Sequence, residues 1–220
     1  MARTKKENIL FLDFDDVLNS VRALYKKFAE YHGVSWTEED FDPKYWGQKN
    51  IDEMSPTFSE RVKDEFEKQK KEPGYKFPDL SGYRYPHDEI AIENLNKIVE
   101  ENNAKVVVCS SWRHGKTIKE LQDILDSWGA KCEVIGKTPG KMSSTRGEEI
   151  LMWLRDNHQK VKAICILDDS LFDINPWLEK WAVQKINGYH HGLRDVHIPE
   201  AKKCFETPWS LKIYYGTEKN

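Results

Sequence analysis

The sequence predicts an α/β fold, a doubly wound parallel sheet flanked by helices, with a mainly helical insert after the first strand. Short apolar blocks recur along the chain and stop abruptly at acids, serines or glycine, as buried parallel strands do where their carboxyl ends open on a cleft. Segments with apolar residues at helical spacing lie between these blocks. Residues 21–86 break the alternation, so residues 1–20 and 87–220 are expected to form the core and 21–86 an inserted cap.

The first strand is Asn8 to Leu12, ending at Asp13 and Asp15. The insert is dense in aromatic and charged residues, among them Trp36, Phe41, Tyr45, Trp46, Phe58, Phe66, Tyr75, Phe77, Tyr83 and Tyr85. Within it, Ser59 to Lys71 predicts a charged helix with Val62 and Phe66 one turn apart, stopped by Pro73-Gly74. Asp88 to Asn102 predicts a helix with Ile90, Leu95, Ile98 and Val99 on its apolar face. Lys105 to Cys109 reads as a strand ending in Ser110-Ser111, Thr117 to Trp128 as a helix, and Lys131 to Ile135 as a strand ending at Gly136. Thr145 to His158 is helical in period, Ala163 to Leu167 is a strand ending in Asp168-Asp169, and Trp181 to Ile186 is a further strand candidate.

The 220 residues suffice for one substantial core plus an insertion. Charged residues make up 32% and apolar ones 39%, and no apolar run approaches the ~20 residues that a spanning helix needs. The start of the chain is polar and lacks a secretory pattern. The expectation is a cytoplasmic protein with no membrane partner. Cys109, Cys132, Cys165 and Cys204 are far apart, with no Cys-x-x-Cys pair to suggest zinc. A net charge of −3 gives no global basic field for nucleic acid, so any such binding requires a local patch. The oligomeric state is left open.

The strand ends carry the chemistry. Asp13 and Asp15 are at i and i+2 after a buried strand, where a turn can bring both to one cleft. Phosphoryl transfer uses such a pair, with Asp13 as nucleophile and Asp15 as the group that protonates the leaving oxygen and then activates water. Asp168 and Asp169, with Asp13 and the Asp15 backbone carbonyl, can complete an oxygen shell for Mg²⁺. Ser110 can donate to a phosphoryl oxygen, and Arg146 can set a positive charge on the phosphate, with Lys137 and Lys141 as competitors. Ser111, Arg113, Lys137 and Lys141 are the candidate substrate contacts. Each residue alone has a plainer reading: acids cap the next helix, serines form a turn, and arginine decorates the surface. Their conjunction favours a phosphate site.

These residues fall in a recognisable order. Leu12-Asp13-Phe14-Asp15-Asp16-Val17-Leu18-Asn19 resembles the first motif of haloacid-dehalogenase (HAD) phosphatases, and Val108-Cys109-Ser110-Ser111-Trp112-Arg113 the second. Ala104 to Arg113, Val134 to Pro139, Arg146 to Ile150 with Trp153-Leu154, and Ile166 to Asp169 are similar to the HAD branch named for Swiss-army-knife RNA-repair proteins, as is Gly192 to Ala201. The resemblance implies the HAD-like Rossmannoid fold, Mg²⁺, an aspartyl-phosphate intermediate and phosphomonoester hydrolysis. It leaves the insert unmatched, and Asp16 stands where the family usually has glycine.

The expected substrate is a phosphorylated small molecule or nucleotide, or a phosphorylated nucleic-acid end. The insert's aromatics either stack on a base or form the cap's own small core. The rival reading is a weak or inactive module that binds and sequesters a phosphorylated nucleotide.

Overall fold

The computed structural model describes residues 6–41, 56–74, 86–140, 144–174, 176–184, 186 and 191–210. Four parallel strands, β1 (Glu7–Leu12), β2 (Ala104–Val108), β3 (Val134–Lys137) and β4 (Val161–Leu167), form a sheet in the order β3-β2-β1-β4. The helices are α1 (Val21–His32), α2 (Pro56–Gln69), α3 (Glu89–Asn102), α4 (Ile118–Ser127), α5 (Arg146–Asn157) and α6 (Ile198–Glu206).

Alternation along β1 sorts the core into two layers. Leu10 and Leu12 join Leu95 and Ile98 of α3, Leu121 and Leu125 of α4, and Ala201 and Phe205 of α6. Ile9 and Phe11 face the other way, toward Ile150 and Leu154 of α5 and toward Ile174, Leu178 and Trp181. Helices thus cover both faces, as a parallel sheet requires. Burying each such Leu, Ile or Phe side chain stabilises by about 1.5–3 kcal/mol.

Three helices begin one residue after the start of their periodic segments, because that first residue caps the helix. The side chains of Asp88, Thr117 and Thr145 accept from the backbone N–H groups of Ile90, Glu120 and Glu148. Thr117 and Thr145 do so within capping boxes completed by Glu120 and Glu148.

Two strands differ from expectation. β3 runs from Val134 to Lys137, past the expected end at Gly136, and starts where the Gln122 side chain takes the Val134 N–H at 2.8 Å and donates to the Cys132 carbonyl at 2.9 Å. The segment near Ala182 contributes a single parallel bridge to Ile166, closed by a 3.0 Å bond from the Val183 N–H to the Ile166 carbonyl.

The segment after β1 is helical where it is described, with α1, a 3₁₀ turn (Glu38–Phe41) and α2. Ala29, Phe58 and Val62 form a small core of their own, with Val34 and Trp36 packed against it. Trp36 and Phe58 therefore serve the insert's packing. Tyr45, Trp46, Tyr75, Phe77, Tyr83 and Tyr85 lie outside the described residues. Asn19 and His87 form an antiparallel bridge at the two stems of this segment. Beside it, buried Asp88 accepts from Ser20 Oγ at 2.8 Å and Arg194 Nη2 at 2.7 Å, and pairs with Arg22 Nη1 at 3.5 Å. Among the described residues no helix is long and apolar enough to cross a membrane.

Burial opposes the charge on Asp88, but Arg194 and Arg22 outweigh it and hold the carboxyl below its usual range. Its contribution to stability is therefore present above the ordinary carboxylate pKa and lost as pH falls through the depressed value. Replacing it removes the buried carboxylate that Arg22 and Arg194 both contact. Asp88→Ala is expected to cost about 3–5 kcal/mol in urea denaturation at pH 7, and the deficit should shrink in strong acid.

Candidate active site

The geometry of the site follows from strand registration. Leu12 is level with Val108 on one side and Leu167 on the other. The Asp13 N–H continues the ladder to the Leu167 carbonyl, and the Cys109 N–H to the Leu12 carbonyl, both at 3.0 Å. Asp13, Ser110 and Asp168-Asp169 therefore leave the sheet at one end. One ligand oxygen each from Asp13, Asp168 and Asp169 lies within 4.8 Å of the others. Asp13 and Asp168 are 4% and 2% exposed, whereas Asp169 is exposed.

Three carboxylates at this spacing repel one another, and Arg146 answers them. It is the first residue of α5, placed by the Thr145 cap. Its Nη1 lies 2.5 Å from Asp13 Oδ2 and 3.1 Å from Asp168 Oδ2. Burial works against the guanidinium's charge, but Cys109, Asp13 and Asp168 together raise its pKa. Asp168 is pushed up to about 7, mostly by burial and in part by Asp13, with Arg146 opposing. Asp169 is raised by burial and by Asp13.

The turn after β1 positions the second acid. Asp13 Oδ1 accepts from the Phe14 N–H at 2.8 Å, which leaves Oδ2 toward Arg146. Asp15 Oδ1 accepts from Trp112 Nε1 at 2.9 Å and Asn19 Nδ2 at 3.0 Å, and Oδ2 lies 3.5 Å from Ser111 Oγ. Asp16 has φ 60, the left-handed conformation that glycine meets without strain and Asp tolerates. Its N–H donates to Asn19 Oδ1 at 2.6 Å. Burial, then Asp169, Asp15 and Asp13, raise its carboxyl to about 6. Gly192, at φ 61, lies against this turn; a Cβ there would sit 2.7 Å from the Val17 carbonyl oxygen, which Leu193 N–H bonds at 2.8 Å.

The remaining predicted residues separate. Ser110 is fully buried at the end of β2, its Oγ accepting from the Trp112 N–H at 3.4 Å. Ser111 sits beside Asp15. Arg113, expected as a substrate contact, is turned inward. Its guanidinium donates to the carbonyls of Cys109 and Ser110 at 2.7 Å and Thr138 at 3.2 Å, and pairs with buried Glu149. With its donors spent on the strand end, it braces the framework. Lys137 Nζ donates to the carbonyls of Arg113, at 3.3 Å, and Lys116, tying that loop to β3. Of the three candidate cations, Arg146 is the one in contact with the acids among the described residues; Lys141 lies outside them. Sequence reasoning missed the bonds of Trp112 and Asn19 to Asp15, since an indole after a strand end carries no signal of where its N–H points.

Residues 9–196 match the family described as the HAD domain in Swiss Army Knife RNA repair proteins. The chain belongs to this family. No curated protein matches it. The HAD architecture accounts for the parallel sheet and the helical insert after β1, and membership implies chemistry of the phosphohydrolase type.

HAD domains typically depend on Mg²⁺, and the residues present fit that ion. The donors are hard carboxylate oxygens, and among the described residues buried Asp168 Oδ2 has the Arg146 ion pair and no hydrogen bond. Because the folded pKa of Asp168 lies above the usual carboxylate value, the folded state binds its proton more tightly than the unfolded one. Without metal, this contribution is present below about pH 4 and lost as pH rises to about 7. Asp168→Asn should therefore raise the Tm in EDTA at pH 8, by roughly 2–4 °C per kcal/mol recovered. It should also remove the stabilisation that Mg²⁺ gives wild type.

Proposed function

We propose that this HAD domain is a Mg²⁺-dependent phosphomonoesterase that works through an aspartyl-phosphate on Asp13, with a nucleotide or a phosphorylated nucleic-acid end as substrate. The observation that carries the reading is the convergence of Asp13, Asp168 and Asp169 at the carboxyl end of the sheet, with Arg146 against Asp13 and Asp168.

Asp13 Oδ2 attacks phosphorus, so an oxygen–phosphorus bond forms as the bond to the leaving alkoxide breaks. Asp15 gives its proton to that alkoxide. The resulting carboxylate takes a proton from water, whose oxygen displaces Asp13 from phosphorus and releases inorganic phosphate. Arg146, already against Asp13 Oδ2, exchanges part of that contact for the phosphoryl oxygens. Ser110 supplies a hydroxyl donor. Asp13, Asp168 and Asp169, with the Asp15 carbonyl, would hold Mg²⁺, which when bound offsets the repulsion between carboxylate and phosphate.

The insert, residues 21–86, acts as the cap that selects substrate. The polynucleotide end is favoured by the RNA-repair proteins in the family's description. The sequestering module draws on Asp16 in place of glycine, and its φ of 60 supplies the backbone conformation that glycine would.

A panel of nucleoside monophosphates, dinucleotides and 3′- or 5′-phosphorylated oligonucleotides, assayed with Mg²⁺ for released phosphate, tests the proposal. Wild type is expected to turn over one class, and Asp13→Asn to lose at least about 10³-fold in kcat with the fold retained. A ligand that raises Tm without any turnover would establish the sequestering module instead.

A further inference from the structure

Asp15 is held by a side chain from another strand end. Trp112 Nε1 donates to Asp15 Oδ1 at 2.9 Å, and Asn19 Nδ2 donates to the same oxygen at 3.0 Å. Among the described residues, Oδ2 has only the 3.5 Å approach of Ser111 Oγ. Two N–H donors occupy the lone pairs of Oδ1. The proton that Asp15 delivers therefore sits on Oδ2, and the carboxyl plane is fixed.

The indole is itself fixed. Its ring lies edge-on to Trp128 at 5.4 Å and against Phe14 at 5.7 Å, and Trp128 also meets Phe14 at 5.6 Å. Trp128 stacks on His87 at 5.6 Å and 17°, and His87 bridges Asn19. The contacts close a ring: Asp15, Trp112, Trp128, His87, Asn19 and Asp15 again. A single hydrogen bond to a carboxylate leaves rotation about its axis open; two from opposite sides of a closed packing circuit do not.

We propose that Trp112 is the positioning residue for Asp15, aiming Oδ2 at the leaving oxygen through the indole N–H. This role rests on Asp15 acting as acid and base, as proposed above. A general acid matters in proportion to the basicity of the leaving group. Loss of its aim should therefore slow esters of alcohols and spare esters of acidic phenols.

The test compares kcat/KM, which reports the first chemical step, for 4-nitrophenyl phosphate and for the panel substrate that wild type hydrolyses best. Trp112→Phe keeps an aromatic ring and deletes the donor. It is expected to lower kcat/KM at least tenfold on the alcohol ester and by no more than about twofold on the aryl ester. Asp15→Asn should show the same division, more steeply. Trp128→Phe, which loosens the indole's packing but keeps its N–H, should show the same division more weakly.

An equal fall on both esters in Trp112→Phe, or no fall on either, overturns the positioning role. So does a Trp128→Phe variant that divides the esters as steeply as Trp112→Phe, since packing rather than the N–H would then explain it. If Asp15→Asn treats the two esters alike, Asp15 is not the acid. If wild type hydrolyses neither ester, the phosphohydrolase reading falls, and this role with it.

Discussion

Because Leu12 is level with Val108 and with Leu167, the residues after those three positions leave the sheet together. A slip of one residue in either pairing would turn an acid into the core and an apolar side chain into the cleft, since side chains alternate along a strand. The apolar blocks on both sides of β1 forbid that slip. Ile9 and Phe11 have one layer to fill, and Leu10 and Leu12 the other. Packing that serves only stability thus also fixes where the charges emerge.

Crowded acids are the cost of that convergence, and the surrounding structure offsets it with few parts. Arg146 reaches Asp13 and Asp168 because the Thr145–Glu148 capping box starts α5 at that point. Arg113 and Glu149 form a second, fully internal pair that ties α5 to the end of β2. One arginine faces the acids and the other holds the scaffold, two residues of the same type separated by what their neighbours leave unsatisfied.

The contrast between those arginines also marks how far the sequence could be read. Asp13, Asp168 and Asp169 were legible because each follows an apolar block long enough to be a buried strand. Arg146 was legible from its place at a helix start, ahead of the Asp168 strand. Arg113 was not, because the carbonyls it satisfies belong to Cys109, Ser110 and Thr138, and no local pattern announces a carbonyl that needs a donor. The start of β3 was hidden in a similar way: it falls where Gln122, a side chain from a different element, takes the Val134 N–H. Periodicity reports which face is apolar. It does not report side-chain bonds between elements.

The bridge between Asn19 and His87 bears on how such a protein changes over time. Both stems of the insert pass through one doorway, held as neighbours at the spacing of a strand pair, about 5 Å. Whatever lies between them can lengthen or shorten with little effect on the strands behind, since loop closure grows only logarithmically with length. Asn19 at the doorway is also bonded to Asp15, so that acid is anchored on the core side of the break. A lineage can rebuild the segment between the stems and keep the strand ends that carry the acids.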